Sequence, residues 1–301
     1  MDALLDDVFA DDITFPASDG YLLAGSLFLP RGAKRHAVLI NSATAVPRKI
    51  YRGFASYLAH RGCAVLTYDY RGIGGSRQGG ALRQEPARMQ DWGRLDLEGA
   101  LRWMQRAYSR VPQLMLGHSA GGQLVGLAPS ARRLSGAAFI GSQLGWAGHW
   151  PWPARALMWS MWHAIIPAFT SAFGHLPMRA LGQGEDLPAG VAREWARWGR
   201  RRNYLFDALG PEVREAYAAL RFPVRALHIS DDLYAPRSGV EALVSFYGGP
   251  REVHTITPAT AGAPRIGHFG WVRPRFQETI WAPIRDWFRD RLEPSPLRRV
   301  G

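Results

Sequence analysis

The chain reads as an α/β protein, with a mostly parallel sheet covered by helices on both faces and a helical segment inserted late. Three observations predict this. Short apolar runs alternate with stretches of helical period from His36 to Ser142 and again from Val224. A Trp-rich stretch interrupts that rhythm between Gly145 and Gly210. With 301 residues, 47% of them hydrophobic, the chain can bury a core on both faces of such a sheet.

Ile13 to Leu29 reads as two antiparallel strands around Asp19-Gly20, a dipeptide that supplies positive φ at a turn. His36 to Asn41 (HAVLIN) is apolar almost throughout and fits a buried strand, followed by a helix from about Lys49 to His60. Cys63 to Tyr70 is the next strand, which completes a βαβ unit. The pattern continues with a helix over about 89–108, a strand at Gln113 to Leu116, a helix from Ser119 that stops before Pro129, and a strand at Gly136 to Ser142.

Seven of the 12 tryptophans fall in the interruption: Trp146, Trp150, Trp152, Trp159, Trp162, Trp195 and Trp198. Leu157, Met158, Met161, Trp162, Ile165 and Ile166 recur at helical spacing, as do Val191, Trp195 and Trp198, so at least two amphipathic helices are expected. The rhythm resumes with a strand at Val224 to Ser230, a helix over about 238–246, a strand at Glu252 to Ile256 and a last helix over about 274–291. The expected organisation is a core in two parts (1–144 and 211–293), an inserted unit (145–210) and a flexible Pro-rich tail (294–301).

Thirty-seven basic residues against 25 acidic ones give a net charge of +12, which would permit an acidic partner. All but Lys34 and Lys49 are arginines, and the basic clusters, such as Arg200 to Arg202, are short and scattered. A solvated surface therefore accounts for them better than nucleic-acid binding. Cys63 is the only cysteine, which excludes a disulfide framework and a cysteine zinc site and fits a reducing compartment. The N-terminus carries acid where a secretory signal needs base, so a cytoplasmic location is expected. The longest apolar stretch, 156–169, is broken by Ser160, His163 and Pro167 and does not span a membrane.

The sharpest chemical signal is Gly117-His118-Ser119-Ala120-Gly121, a G-x-S-x-G placed directly after a strand and directly before a helix. Small residues on either side of the serine let strand and helix approach, while the turn lifts the hydroxyl and aims the Ala120 N–H at a developing oxyanion. A serine hydroxyl is a weak nucleophile at neutral pH, so it needs a histidine base and a carboxylate to orient that base. His268 lies in a loop after the last strand, between Gly267 and Gly270. Asp231 and Asp232 follow the strand ending at Ser230, at the end of the sheet where functional loops gather.

These motifs resemble the α/β-hydrolase superfamily over nearly the whole chain. The stretch 68–76, YDYRGIGGS, is similar to that superfamily's D-x-R-G-x-G-x-S turn, in which Asp69 and Arg71 would fix the loop. The stretches DWG (Asp91 to Gly93), GEDLP (Gly184 to Pro188), EWARW (Glu194 to Trp198) and IGHFGW (Ile266 to Trp271) resemble bacterial predicted hydrolases related to serine-aminopeptidase-like and monoacylglycerol-lipase-like members.

The resemblance implies a triad of Ser119, Asp232 and His268, with Asp232 preferred to Asp231 because Asp232 to Pro236 matches that superfamily's Asp-x-x-x-Pro loop. It implies an oxyanion hole from Ala120 and from Ala43 or Thr44, in a loop reading Asn41-Ser42-Ala43-Thr44-Ala45 where relatives carry His-Gly. Asn41 and Ser42 either shape the pocket or simply end a buried strand. The insertion would act as a cap, and His118, Trp146, Trp159, Trp162 and Trp271 would line a pocket for a bulky apolar or aromatic ester or thioester. The stripe from Leu157 to Ile166 also suits contact with a membrane surface or a second subunit.

No cofactor is implied, since Gly72-Ile73-Gly74 lacks the third glycine of a dinucleotide loop and Arg77 stands in its place. No metal is implied either, because the histidines lack metal-ligand spacing. A serine nucleophile argues against epoxide hydrolysis and haloalkane dehalogenation, which this fold performs with aspartate. The alternatives that keep the same residues are an acyltransferase, a cofactor-free haloperoxidase and, with no turnover at all, a binding protein.

Overall fold

The computed structural model describes residues 8–180 and 182–290. The expected tail at 294–301 and the last residue of the final helix, Arg291, lie outside the described residues. Eight strands form one sheet: β1 (Val8–Pro16), β2 (Leu22–Pro30), β3 (His36–Asn41), β4 (Cys63–Tyr68), β5 (Gln113–His118), β6 (Gly136–Ile140), β9 (Val224–Ile229) and β10 (Arg251–Ile256). Two further short strands, β7 (His175–Leu176) and β8 (Leu187–Pro188), pair with each other inside the insertion.

The sheet runs β1-β2-β4-β3-β5-β6-β9-β10, antiparallel at the first two pairings and parallel from β4 onward. The opening hairpin is longer than the sequence pattern indicates, extending from Val8 to Pro30 around Gly20 at φ 90°. Alternation along the central strands sorts side chains onto two faces. Leu39, Leu66, Met115 and Phe139 meet Trp92, Leu97 and Leu101 on one face. Val38, Ile40, Leu114, Leu116 and Ile140 meet Phe54, Trp281, Ile284 and Trp287 on the other.

Helices follow the strands as expected but are more broken. The stretch after Ser119 is helical only over Ala120–Gln123, then tightens over Val125–Leu127. Gly121, Gly122 and Gly126 are poor helix formers, and Gly126 lies flat against the Tyr217 ring, where a side chain would collide. The helix at 89–107 widens over Trp92–Leu97, and this wide turn carries Asp96 into the core.

Buried Asp96 explains the turn at Asp69 to Ser76. Its carboxylate accepts from the Arg71 backbone N–H at 2.9 Å and from Arg71 Nε at 2.7 Å, while the other end of the guanidinium meets Asp19. Burial pushes the Asp96 carboxyl up to about 7, and Arg71 beside it opposes that rise. Asp69 accepts from the backbone N–H groups of Arg48 (2.6 Å) and Gly75 (2.9 Å) and pairs with the Arg48 guanidinium. Replacing Asp96 with Ala would leave the Arg71 backbone N–H and Nε without their partner, in a residue whose side chain is 8% exposed and retains only the Asp19 pair. The expected loss is about 3 kcal/mol or more, measured as a lower urea midpoint at unchanged m-value.

The insertion leaves the sheet after β6 and returns before β9. Its first long helix, over 154–173, contains a wide turn at Met161–Ile165, and its second spans Ala189–Gly199. Trp162 meets Trp195 edge-on, with ring centroids 5.0 Å apart, and Arg200 Nε donates to the Trp162 carbonyl at 2.8 Å. Trp162, Ile166, Val191, Trp198 and Tyr204 join the apolar cluster on one face of the sheet, so the insertion and the core are packed as one body there.

Candidate active site

The loops at the carboxyl ends of β3, β5, β6, β9 and β10 converge. Ser119 follows β5 directly, at φ 52° and ψ −116°, a conformation costly for any residue with a side chain. The geometry of its neighbours enforces this. A side chain at Gly121 would collide with the Asn41 carbonyl oxygen, and one at Gly117 would come within 2.6 Å of the Gly122 nitrogen. Strand, turn and helix therefore close to backbone contact only because both positions are glycine. The Ser119 N–H donates to the Ile140 carbonyl (2.9 Å), which fixes the turn to β6.

Asp232 and His268 are brought together. His268 Nδ1 lies 2.6 Å from Asp232 Oδ2, and both side chains are buried. A carboxylate only accepts, so Nδ1 carries a proton, which in the neutral imidazole places the lone pair on Nε2. The other Asp232 oxygen accepts from the backbone N–H groups of Tyr234 (2.8 Å) and Ala235 (3.2 Å). Asp231 has a different place. Its two oxygens accept from the N–H groups of Ile266 (2.9 Å) and Gly267 (3.0 Å), which ties the β9 loop to the segment leading into His268. Among the described residues, the Ser119 hydroxyl makes no hydrogen bond of its own.

A buried relay lies behind these groups. The Ala43 N–H donates to the Tyr51 hydroxyl oxygen (3.0 Å), Tyr51 lies 2.8 Å from His118 Nδ1, and His118 Nε2 lies 3.0 Å from the His268 carbonyl. The carbonyl can only accept, so Nε2 of His118 holds the proton and Nδ1 accepts from Tyr51. Burial holds the His118 imidazole well below the usual histidine range, and the nearby His268 adds to this. A histidine depressed in the folded state contributes stability above its unfolded pKa of about 6.5, and that stability is lost as pH falls through this value. Between about pH 6.5 and 5, His118→Gln should lose less stability than the wild type, by up to about 1.4 kcal/mol per pH unit in denaturant titrations.

The relay also bears on the oxyanion loop. Ala43 N–H is committed to Tyr51, whereas the N–H groups of Thr44 and Ala120 have no partner among the described residues. Asn41 is a structural residue rather than a pocket residue. Its Nδ2 donates to the Gly121 carbonyl (2.7 Å), and its Oδ1 accepts from Tyr68 and Tyr70.

The aromatic pocket expected from the sequence is not assembled. His118 and Trp271 are buried behind the site, edge-to-face at 5.4 Å, in the core with Tyr51 and Phe54. Trp162 packs within the insertion's own core against Gly199. Trp159 is 56% exposed and stacks on His163 at the surface. Trp146 folds over Gly148, against His149 and beneath Arg202. The groove that does open beside His268, about 610 Å³ in volume, is walled by Val46, Ile50, Tyr234 and Phe269 and by the loop 182–184. That loop is fixed at three places: Tyr234 Oη donates to Gln183 Oε1 (2.6 Å), Glu185 N–H donates to the Ala45 carbonyl (2.8 Å), and Glu185 Oε2 accepts from the Gly74 N–H (2.7 Å).

Residues 32–194 match the family model described as serine aminopeptidase, S33, which covers more than half the chain. The chain belongs to this α/β-hydrolase family. The fold is shared with solved structures at low identity. The esterase domain of a Rhodothermus marinus protein is 18% identical, covering 95% of this chain and 100% of its own at a TM-score of 0.61. A thermostable carboxyl esterase from Bacillus coagulans is 12% identical, with coverages of 94% and 99% and a TM-score of 0.61. A cold-adapted esterase from an Arctic intertidal metagenomic library is 15% identical, with 95% of each chain covered and a TM-score of 0.57. No curated protein matches the chain in sequence. Tyr51, Gln183 and Glu185 carry no signal that distinguishes them in the sequence, although Glu185 lies within the family-like stretch GEDLP.

Proposed function

We propose that this S33-family hydrolase cleaves a carboxylic ester or thioester through an acyl-enzyme on Ser119. The observation that carries the reading is the short Asp232–His268 pair, with the His268 ring 4.9 Å from that of His118, the residue directly before a serine held at φ 52° between two obligatory glycines. His268 Nε2 takes the hydroxyl proton as Ser119 Oγ bonds to the acyl carbon, then gives it to the leaving alcohol or thiol as the old bond breaks. Water repeats the sequence in reverse and frees the acid. Asp232 holds the imidazole tautomer and its charged form. Ala120 N–H and Thr44 N–H stabilise the oxyanion, a choice supported by the commitment of Ala43 N–H to Tyr51.

The insertion at 145–210 serves as the cap, supported by its loop at 182–185, which reaches both the Ala45 and the Tyr234 loops. The walls Val46, Ile50 and Phe269 suit the apolar part of a substrate. Among the described residues, no helix is long and apolar enough to cross a membrane. The lone Cys63 is buried, which suits the reducing cytoplasm as the setting.

The test is labelling with a fluorophosphonate, with the adduct mapped by peptide mass spectrometry, alongside hydrolysis of p-nitrophenyl esters from acetate to palmitate. A single adduct on Ser119 and turnover of at least one ester are expected. A protein inert to both would overturn the reading.

A further inference from the structure

We infer that the substrate carries an anionic group, a carboxylate or a phosphate, which Arg265 and Arg273 bind at the groove beside His268. The inference rests on the hydrolase reading above and names its substrate class. The groove's charged lining, His268 apart, consists of Arg265, Arg273 and Arg275, without a single Asp or Glu. Arg275 has a structural task, since its guanidinium donates to the Arg265 carbonyl at 2.9 Å and lies over the Phe276 ring. The guanidiniums of Arg265 and Arg273 have no ion pair or hydrogen bond among the described residues. The two carboxylates bonded to this segment are already engaged, Asp231 by Ile266 and Gly267 and Asp232 by His268.

Two other basic clefts of this Arg-rich chain have neither His268 nor Ser119 in their walls. In the cleft containing Arg48 and Arg179, Arg48 pairs with Asp12 and Asp69 and Arg179 with Glu185. At the amino end of the sheet, Arg285 and Arg289 pair with Asp286 and Asp290, while Arg35 and Arg61 make no ion pair among the described residues, but that cleft lies at the opposite end of the strands from Ser119 and His268. Uncompensated guanidiniums beside an apolar wall are suited to a molecule with an apolar body and an anionic end. The planar fork of arginine matches a carboxylate or phosphate with two parallel hydrogen bonds. A volume of about 610 Å³ accommodates a small-molecule substrate of this kind.

The test uses the full chain and mono-p-nitrophenyl esters of adipic, suberic and sebacic acids, each paired with its uncharged methyl-capped diester. A further pair, 4-butyryloxyphenyl phosphate and 4-butyryloxyanisole, tells phosphate from carboxylate. At low salt, at least one anionic ester should exceed its neutral partner by about 10-fold in kcat/KM. The ratio should shrink in 0.5 M NaCl and approach one in the double variant Arg265→Ala/Arg273→Ala. Ratios at or below one for every pair, or a ratio the double variant leaves unchanged, overturn the inference.

The same pairs are titrated calorimetrically into Ser119→Ala, where no cleavage is needed. If the wild type hydrolyses nothing, the hydrolase reading fails. Tighter binding of an anionic ester, lost on removing both arginines, would still support the anion site, whereas absent or equal binding would refute it.

Discussion

Ser119→Ala should lower kcat/KM for the best p-nitrophenyl ester by at least about 10⁴-fold while leaving the fold intact. Removing the nucleophile of such a constellation costs about this much or more, because the remaining hydrogen-bond donors and binding groups cannot form the acyl intermediate. The stability of the variant gives a second readout. Alanine at position 119 keeps the backbone at φ 52° and retains its strain, so the thermal midpoint should stay close to that of the wild type. Ser119→Gly removes the side chain that makes this conformation costly and should stabilise the protein by about 1 kcal/mol, raising the midpoint by a few degrees. Both variants should be equally inactive. A glycine variant less stable than the alanine one would mean that the elbow is not strained as its dihedral angles indicate.

The adjacent acids should separate by function. Asp232→Asn keeps the shape but presents an amide to His268 Nδ1, which favours the wrong tautomer, and the expected loss in kcat is about 10⁴-fold. Asp231→Asn retains one acceptor for the N–H groups of Ile266 and Gly267 and loses the other. It should cost about 1 kcal/mol of stability and only a modest part of the activity. Steady-state kinetics on the two variants, with denaturant curves on the same preparations, measure both effects. Equal losses of activity would remove the distinction between the two carboxylates.

How far the sequence reveals these features depends on the kind of constraint. Ser119 stands out because steric closure demands glycine at 117 and 121, and that demand appears directly as letters. The strands around it are legible because burial on both faces leaves uninterrupted apolar runs. Asp232 is legible only through family likeness, since two neighbouring acids at a strand end look alike until their partners are known. The tryptophans mislead for a related reason. Their number shows neither which of them are buried nor against what: Trp162 and Trp271, like His118, are buried in or beside the core, while Trp159 stands at the surface. Tyr51 is invisible because its role depends on Ala43 and His118, which are separated from it along the chain and meet it only in the folded state.

The loop at 182–185 has a bearing on substrate range. Its bonds to Tyr234, Ala45 and Gly74 join the insertion to three separate loops of the sheet, so this stretch of backbone behaves as a fixed beam over the site. A beam held at several points yields little to an oversized guest. Tolerance must then come from side chains that can turn, and Phe269 and Ile50, exposed on the groove wall with no hydrogen bond to hold them, are the ones free to do so, whereas the Tyr234 ring is tied to Gln183. Selectivity among homologous esters should therefore change in steps, where one ring must rotate out of the way, and not smoothly with each added methylene.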